Sequence, residues 1–259
     1  MKKSINLYFN NTLDTKVKID AIKESGFDEF FICADDRYEN IPWIEQIKYA
    51  KKIGLNCTMV HCSYKGLKVD NFWLDNELGE NLFNKYKSEI KQIGNLSKNY
   101  VIHLDESDNS IVSEIGVKRI KELLKICKTN DINLCVENIH SSKEIPYLFS
   151  NINDKNLKIC FDLGHRNVFT PEFDIMKEYG DYVEVLHIHD NHGEKDEHLI
   201  IGQGNIDLKS FAKQMKNKNN LVLTAEIKKN EDKDFRSTLK ETKKALDELE
   251  QLIVINNTL

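Results

Sequence analysis

The sequence has little proline and no segment with the composition of a linker. Only three prolines occur in 259 residues, and no stretch rich in glycine, serine and proline divides the chain. Boundaries between domains usually fall in exposed segments of that kind. The sequence therefore predicts one domain over residues 1–259, a length that is normal for an α/β barrel.

Long apolar runs and closely spaced cysteine pairs are also missing. No stretch approaches the ~20 apolar residues that a membrane-spanning helix requires. The apolar run behind the two lysines at positions 2 and 3 is too short and broken for a signal peptide. The six cysteines include no CxxC pair and lie mostly in apolar segments, which is typical of reduced, buried thiols. We therefore expect a cytoplasmic protein without a membrane partner.

An excess of positive charge is absent as well. The formal net charge is −5, and no cluster of lysine and arginine is interleaved with aromatic residues. Neutralisation of phosphates by such residues dominates the affinity of proteins for nucleic acid. The charge pattern therefore does not favour a nucleic-acid partner.

What the sequence does contain is a regular alternation of strand-like and helical segments. The strand-like segments are short and apolar at nearly every position, which is typical of parallel strands buried on both faces. Eight strands at a mean repeat of about 32 residues predict a (β/α)8 TIM barrel of the α/β class. A doubly wound sheet is the alternative, but the Gly-rich phosphate loop that usually accompanies it is missing. The predicted strands are 5–9, 29–34, 57–62, 100–104, 133–138, 157–163, 183–189 and 221–227.

Polar residues interrupt six of these strands at or near their carboxyl ends. In a barrel, that end carries the active site, built from several strands. Glu137, Asp162 and His187 follow one another at intervals of 25 residues, so we expect them at similar height around one opening. The six residues are His61, His103, Glu137, Asp162, His187 and Glu226.

A divalent metal ion explains this set best. An unpaired buried carboxylate costs several kcal/mol, and few cationic side chains lie in these strands. Mixed imidazole and carboxylate ligands suit zinc, manganese, iron or cobalt better than calcium or magnesium. Taken singly, His61 or His103 is more often a hydrogen-bonded core residue, Glu137 a strand-end cap and Asp162 a turn residue. Six such residues at one end of the barrel favour a metal site over those separate interpretations.

The segment 185–198, VLHIHDNHGEKDEH, holds four of the eight histidines. We interpret His187 as a metal ligand at the end of the seventh strand. His189 and Asp190 are expected to orient it, because ligand histidines are usually held by neighbouring polar groups. His192 is expected in a solvated loop.

Ordered motifs along nearly the whole chain resemble a known family, the xylose isomerase-like TIM barrels. The motifs are VHCSY, VIHLD, CVEN, CFDLGH, LHIHDN, DEHLIIGQGNID and TAEI. This family includes sugar and sugar phosphate isomerases and epimerases, and also the endonuclease IV-type repair enzymes.

The resemblance implies two ligand sets. In the isomerases and epimerases one divalent ion is held by residues that match Glu137, Asp162, His187 and Glu226, and the two glutamates are catalytic. In the endonucleases three zinc ions are held by nine ligands, one of them a bridging glutamate. The five further positions are expected to bind substrate or additional metal: His61, His103, His165 on the loop after the sixth strand, Asp196 and His198.

The leading hypothesis is a metal-dependent sugar or sugar phosphate isomerase or epimerase. It would abstract a proton next to a metal-chelated carbonyl and act through an ene-diolate. The expected cofactor is zinc, manganese, cobalt or magnesium, with no organic cofactor, and the partner is a small-molecule sugar. The alternative is a zinc-dependent endonuclease acting at abasic sites, followed by a non-catalytic sugar- or metal-binding protein. His198 stands where the epimerases usually carry a substrate-binding arginine. The sequence leaves open whether the protein forms a homo-oligomer.

Overall fold

The computed structural model describes residues 1–9, 13–108, 110–218, 220–228 and 234–258. Among these residues, eight parallel strands alternate with helices along the chain. The strands are β1 (Lys3–Ile5), β2 (Glu29–Cys33), β3 (Asn56–His61), β4 (Asn99–Ile102), β5 (Asn133–Glu137), β6 (Leu157–Asp162), β7 (Val183–His187) and β8 (Leu223–Ala225).

The strands close into a ring, which confirms the predicted TIM barrel. Strands β2 to β7 form one sheet in sequence order, and β1 pairs with β8. Single parallel bridges from Asn6 to Phe31 and from Ile188 to Ala225 join the two sheets. β1 ends earlier than predicted because the Asn6 side chain replaces the backbone ladder there. Its amide group donates to the carbonyl of Ile227 at 2.9 Å and accepts from the Ile227 N–H at 3.0 Å.

The helices cover the outside of the barrel, and several of them begin at polar caps. Asp14, Asn76 and Ser113 each accept a backbone N–H from the first turn of the helix that follows. No helix within the described ranges is both long and apolar enough to cross a membrane. The helices are α1 (Thr15–Glu24), α2 (Trp43–Lys52), α3 (Glu77–Ile93), α4 (Glu114–Thr129), α5 (Glu144–Asn151), α6 (Leu163–Phe169), α7 (Ile175–Tyr179), α8 (Leu208–Gln214) and α9 (Phe235–Thr258).

One expected position is corrected by this helix pattern. His165 was expected on a loop after the sixth strand, but it lies in the first turn of α6. The reason is that Asp162 both ends β6 and caps α6, since its side chain accepts the backbone N–H of His165 at 2.6 Å. No loop residue separates strand from helix at this point.

The interior of the barrel is a small apolar layer, separate from the larger core between strands and helices. Side chains along a strand alternate between the two faces, so residues two apart point the same way. The interior residues Met59, Cys135, Cys160 and Val185 each precede a predicted site residue by two positions. The pleat therefore places His61, Glu137, Asp162 and His187 one layer above them, at the carboxyl end of the barrel.

Candidate metal centre

The central cluster contains Glu137, Asp162, His187 and Glu226, all of them buried. One potential ligand atom from each lies within 4.8 Å of the others. The Nδ1 atom of His187 is 3.0 Å from Glu137 Oε1, 3.2 Å from Glu226 Oε2 and 3.7 Å from Asp162 Oδ2. The predicted four-residue set is thus assembled from β5, β6, β7 and the residue that follows β8.

The donor atoms of this cluster fit a divalent cation. Three carboxylates meet one imidazole, and no ion pair from a described lysine or arginine reaches any of the three. Asp162 Oδ2 is buried and has no hydrogen-bond partner among the described residues. A buried carboxylate oxygen without a partner is costly unless a cation satisfies it.

Electrostatics keep both glutamates ionised. Burial opposes the charge on Glu137, but His187 and His103 outweigh it and hold its pKa well below the ordinary value. Burial likewise opposes the charge on Glu226, while His187 and His198 lower its pKa to about 2. Both side chains are therefore negatively charged at neutral pH, as metal ligands or bases must be.

A second cluster joins His61 and His103 to Glu137. The Nε2 atoms of the two histidines are 2.9 Å apart, and each is 3.1 Å from Glu137 Oε2. His61 Nδ1 lies 2.8 Å from the carbonyl oxygen of Cys62 and donates to it. That bond leaves the Nε2 lone pair of His61 directed at Glu137, so a proton or a cation must lie between these atoms. Glu137 belongs to both clusters through different oxygens.

A third cluster contains His165, His189, Asp196 and His198. His165 Nδ1 donates to the carbonyl of Asn138, and His198 Nδ1 donates to the carbonyl of Glu226, both at 3.0 Å. Their Nε2 atoms lie 3.9 and 2.9 Å from Asp196 Oδ2. Histidines that bind metal usually donate their other ring N–H in this way, so the geometry suits a cation here too.

His189 lies between the central and third clusters. Its fully buried Nε2 is 3.1 Å from Asp162 Oδ1 and 3.7 Å from Asp196 Oδ1, without hydrogen-bond geometry to either oxygen. The ring occupies space left by Gly164, because a Cβ at that glycine would lie 2.0 Å from His189 Cε1. The glycine of the D-x-G-H motif is therefore needed to make room for the second histidine of the H-x-H motif.

Asp190 fixes the loop that carries the third cluster. Its carboxylate accepts the backbone N–H groups of Asn191 at 2.9 Å, Gly202 at 2.8 Å and Ile206 at 3.3 Å. This role differs from the predicted one, since Asp190 orders the loop backbone and has no hydrogen bond to His187. His192 is exposed and pairs with Glu197, as expected for a solvated loop.

A cavity of about 290 Å³ opens above the clusters. Its lining combines the ligand-type residues with Tyr64, Val69, Ile139 and Phe169. None of the described residues that line it is lysine or arginine. A cavity lined by both polar and aromatic side chains suits a small polyhydroxylated molecule with an apolar face.

A second cavity, of about 230 Å³, adjoins the first. The two share Tyr64, His198 and Glu226, and the second also contains Lys65 and Lys228 in its lining. Positive charge is therefore found beside the clusters, in the lining of the second cavity.

Sequence reasoning missed several residues of the site. Tyr8 donates a hydrogen bond from its hydroxyl group to Glu226 Oε1. His140 and Asp105 line the first cavity, and Asp105 accepts the backbone N–H groups of His140 and Ser141 at 2.9 and 2.6 Å. These residues follow strand ends rather than interrupting strands. Position just after a predicted strand was the only signal that pointed to Asp105 and His140, whereas Tyr8 lay inside the predicted strand 5–9.

The sequence matches the family described as xylose isomerase-like TIM barrel over residues 19–252. The chain belongs to this family. The nine residues predicted as ligands or substrate contacts converge at one end of its barrel, and their roles stay predictions.

Curated relatives of this chain include uncharacterized proteins and a probable endonuclease. The chain spans 42% and 41% of two uncharacterized proteins, from Sinorhizobium fredii and Methanocaldococcus jannaschii, with 26% and 31% identity over 44% and 39% of its own length. A probable endonuclease 4 of Thermoplasma volcanium is 23% identical over 69% of this chain and 71% of that protein.

Solved structures with similar folds include sugar epimerases. D-psicose 3-epimerase with D-tagatose, from Clostridium cellulolyticum H10, superposes with a TM-score of 0.79, covering 98% of this chain and 99% of that one at 18% identity. The IOLI protein with a bound zinc atom gives a TM-score of 0.74, covering 100% and 98% at 17% identity. At these identities the likeness establishes the fold alone.

Proposed function

We propose that the protein is a divalent-metal-dependent isomerase or epimerase of a sugar or sugar phosphate. The observation that carries the proposal is the meeting of Glu137 and Glu226 on one cluster, each within 3.2 Å of His187 Nδ1. The two glutamates come from β5 and from the end of β8, so they approach the cavity from different strands. The similarity to the fold of D-psicose 3-epimerase supports this choice.

The central residues have distinct tasks in such a reaction. Glu137, Asp162, His187 and Glu226 would hold a divalent ion, which would supply Lewis acidity at a substrate carbonyl and acidify the neighbouring C–H. Glu137 and Glu226 are ionised, so either one can accept a proton from carbon, and the other can take a proton from solvent and give it to the opposite face. The Tyr8 hydroxyl donates a hydrogen bond to Glu226 Oε1. The other oxygen, Oε2, faces His187 in the central cluster.

The two cavities accommodate the rest of the substrate. Tyr64 and Phe169 present aromatic surface to the first cavity, where a sugar ring can pack its C–H face. A longer or phosphorylated sugar would extend past Glu226 toward Lys65 and Lys228 in the second cavity.

Solvent exchange at carbon tests the proposal. Protein loaded with zinc, manganese or cobalt would be incubated in D2O with ketoses and ketose phosphates, and deuterium incorporation followed by NMR. We expect exchange with at least one substrate, and a loss of about 100-fold or more in Glu137→Gln and Glu226→Gln. Glu122→Gln, at an exposed position on α4, is the matched control. Full exchange in both site variants would show that the proposed roles are wrong.

A second candidate is a metal-dependent phosphodiesterase of the endonuclease IV type. It is favoured by the second and third clusters, because His61, His165 and His198 all point Nε2 toward a carboxylate. The similarity to a probable endonuclease 4 also supports it. The acidic net charge and the first cavity's lack of cationic lining oppose it. Cleavage of a duplex with one abasic site, without deuterium exchange in any ketose, would establish this candidate instead.

A further inference from the structure

The two ring nitrogens of His187 face very different surroundings. Nδ1 points to the carboxylates of the central cluster, whereas Nε2 lies 3.2 Å from the sulfur of Met59 in the barrel interior. We infer that Met59 is a positioning residue, whose thioether accepts the Nε2–H of His187 and stabilises the tautomer with a lone pair on Nδ1. Because it requires an ion at the central cluster, this role rests on the proposed function.

The surroundings of His187 leave Nε2 no other acceptor. His187 and Met59 are both completely buried, and Met59 Sδ is the only hydrogen-bond partner that Nε2 has within the described part of the chain. Phe31 stacks against the imidazole with ring centroids 5.0 Å apart and an interplanar angle of 15°. The stacking holds the ring plane, so each nitrogen keeps these neighbours unless the ring flips over about the Cβ–Cγ bond. The remaining interior residues are Val101, Cys135, Cys160 and Val185.

Without an ion, the carboxylates favour a proton on Nδ1 of His187. Glu137 Oε1 at 3.0 Å and Glu226 Oε2 at 3.2 Å would each accept a proton carried by Nδ1. Binding of a cation requires the Nδ1 lone pair, and the neutral imidazole must then carry its proton on Nε2. A buried N–H without an acceptor is costly, and a thioether is a weak acceptor that reduces this cost. Met59 therefore lowers the free energy needed to reach the tautomer that binds metal.

The other ligand-type histidines are oriented differently. His61, His165 and His198 each donate Nδ1–H to a backbone carbonyl and direct Nε2 toward a carboxylate. His187 reverses the roles of its nitrogens, because its Nε2 points into the barrel interior, where its hydrogen-bond partner among the described residues is the sulfur of Met59. The sensitivity to loss of sulfur is thus expected at His187 alone among these four.

Replacing the sulfur atom tests the inference. Met59→Leu keeps the volume of the side chain but removes the acceptor, and Met215→Leu is the control at another completely buried methionine. Zinc and cobalt affinities would be measured by calorimetry, and the tautomer of His187 by long-range 1H–15N NMR of the zinc-loaded protein. We expect the affinity of the central site to fall about 10- to 100-fold in Met59→Leu and to be unchanged in Met215→Leu.

A second pair of samples covers the case in which Met59→Leu does not fold. Norleucine in place of the four methionines removes sulfur and keeps side-chain length, while selenomethionine keeps a chalcogen acceptor. We expect norleucine protein to lose affinity and selenomethionine protein to keep it, with the Nε2–H signal of His187 retained. Unchanged affinity and an unchanged His187 spectrum in the sulfur-free protein would overturn the role of Met59 alone. A wild-type protein that binds no ion at the central cluster would overturn the proposed function with it.

Discussion

At the scale of single residues, the chemistry of the site depends on how each carboxylate oxygen is engaged. Asp162 uses Oδ1 to accept the backbone N–H of His165, so that oxygen stabilises the start of α6. Its other oxygen has no hydrogen-bond partner among the described residues and faces the central cluster. One side chain thus combines a structural task with a ligand task, which are separable by mutation.

Asp162→Asn separates these two tasks. Asparagine is also a good helix N-cap, so the fold should be kept while the ligand charge is removed. We expect the affinity of the central site for cobalt to fall more than about tenfold, because a charged ligand contributes more than a supporting residue. Calorimetry and the visible spectrum of bound cobalt measure the change. Asp174→Asn, at the N-cap of α7, is the matched control, and equal losses in the two variants would contradict a ligand role for Asp162.

At the scale of elements, the pleat of the strands and the packing of two motifs build the site. Residues two positions beyond the interior layer project above it, and this alternation alone brings the strand-end ligands together. The third cluster depends instead on α6 and on the loop that Asp190 orders. Gly164 connects these parts, because it lets α6 approach the His189 ring.

Gly164→Ala tests this contact between elements. The added Cβ would overlap the completely buried His189 ring, so we expect the free energy of unfolding to fall by about 1–3 kcal/mol. Removing the ring should relieve the overlap, and the double variant Gly164→Ala/His189→Ala should be more stable than the sum of the single effects. Chemical denaturation of the four proteins in a double-mutant cycle gives the coupling. Strictly additive effects would show that the two residues do not limit each other.

Much of this arrangement could be predicted from the sequence, for a physical reason. A charged residue such as Glu137 inside an apolar strand is conspicuous, because burial without a partner is unfavourable. Tyr8 and His140 gave no comparable signal, since aromatic and loop residues are common near strand ends. The early end of β1 was not predicted either. Apolar periodicity indicates which residues are buried, but it does not indicate that the Asn6 side chain takes the place of the backbone hydrogen bonds between β1 and the chain after β8. The start of α6 was missed because Asp162 is both the last residue of β6 and the N-cap of α6.

At the scale of the whole molecule, the chain is a barrel of the xylose isomerase-like family with clusters of histidine and carboxylate residues at one end. The family match covers residues 19–252, and a single domain over residues 1–259 stays a prediction. In the ion-free protein, the ligand histidines and carboxylates neutralise one another in part. The stability of the whole barrel should therefore depend on pH and on metal together.

The sign of the pH dependence follows from the shifted pKa values. Burial opposes the charge on His165, His187 and His198, but neighbouring carboxylates outweigh it and raise their pKa above 6.5. Their stabilising effect is complete below pH 6.5 and is lost as pH rises through the raised values. Glu226, with a pKa lowered from 4.5 to about 2, stabilises above pH 4.5 and loses its effect as pH falls toward 2. Together, these four groups stabilise the ion-free protein most between about pH 4.5 and 6.5.

Metal should change this dependence, because bound imidazoles must be unprotonated. We expect the rise in Tm on adding zinc to be larger at pH 8 than at pH 6. Differential scanning calorimetry of the ion-free and zinc-loaded protein at both pH values measures it. An equal or smaller rise at pH 8 would mean that these histidines do not bind the ion.

Anomalous diffraction from crystals of the zinc-loaded protein tests the central claim most directly. Data collected above and below the zinc edge locate each ion independently of the protein atoms. We expect a strong peak in contact with Glu137, Asp162, His187 and Glu226, with His187 bound through Nδ1. A fully loaded protein without a peak at these four residues would contradict the account.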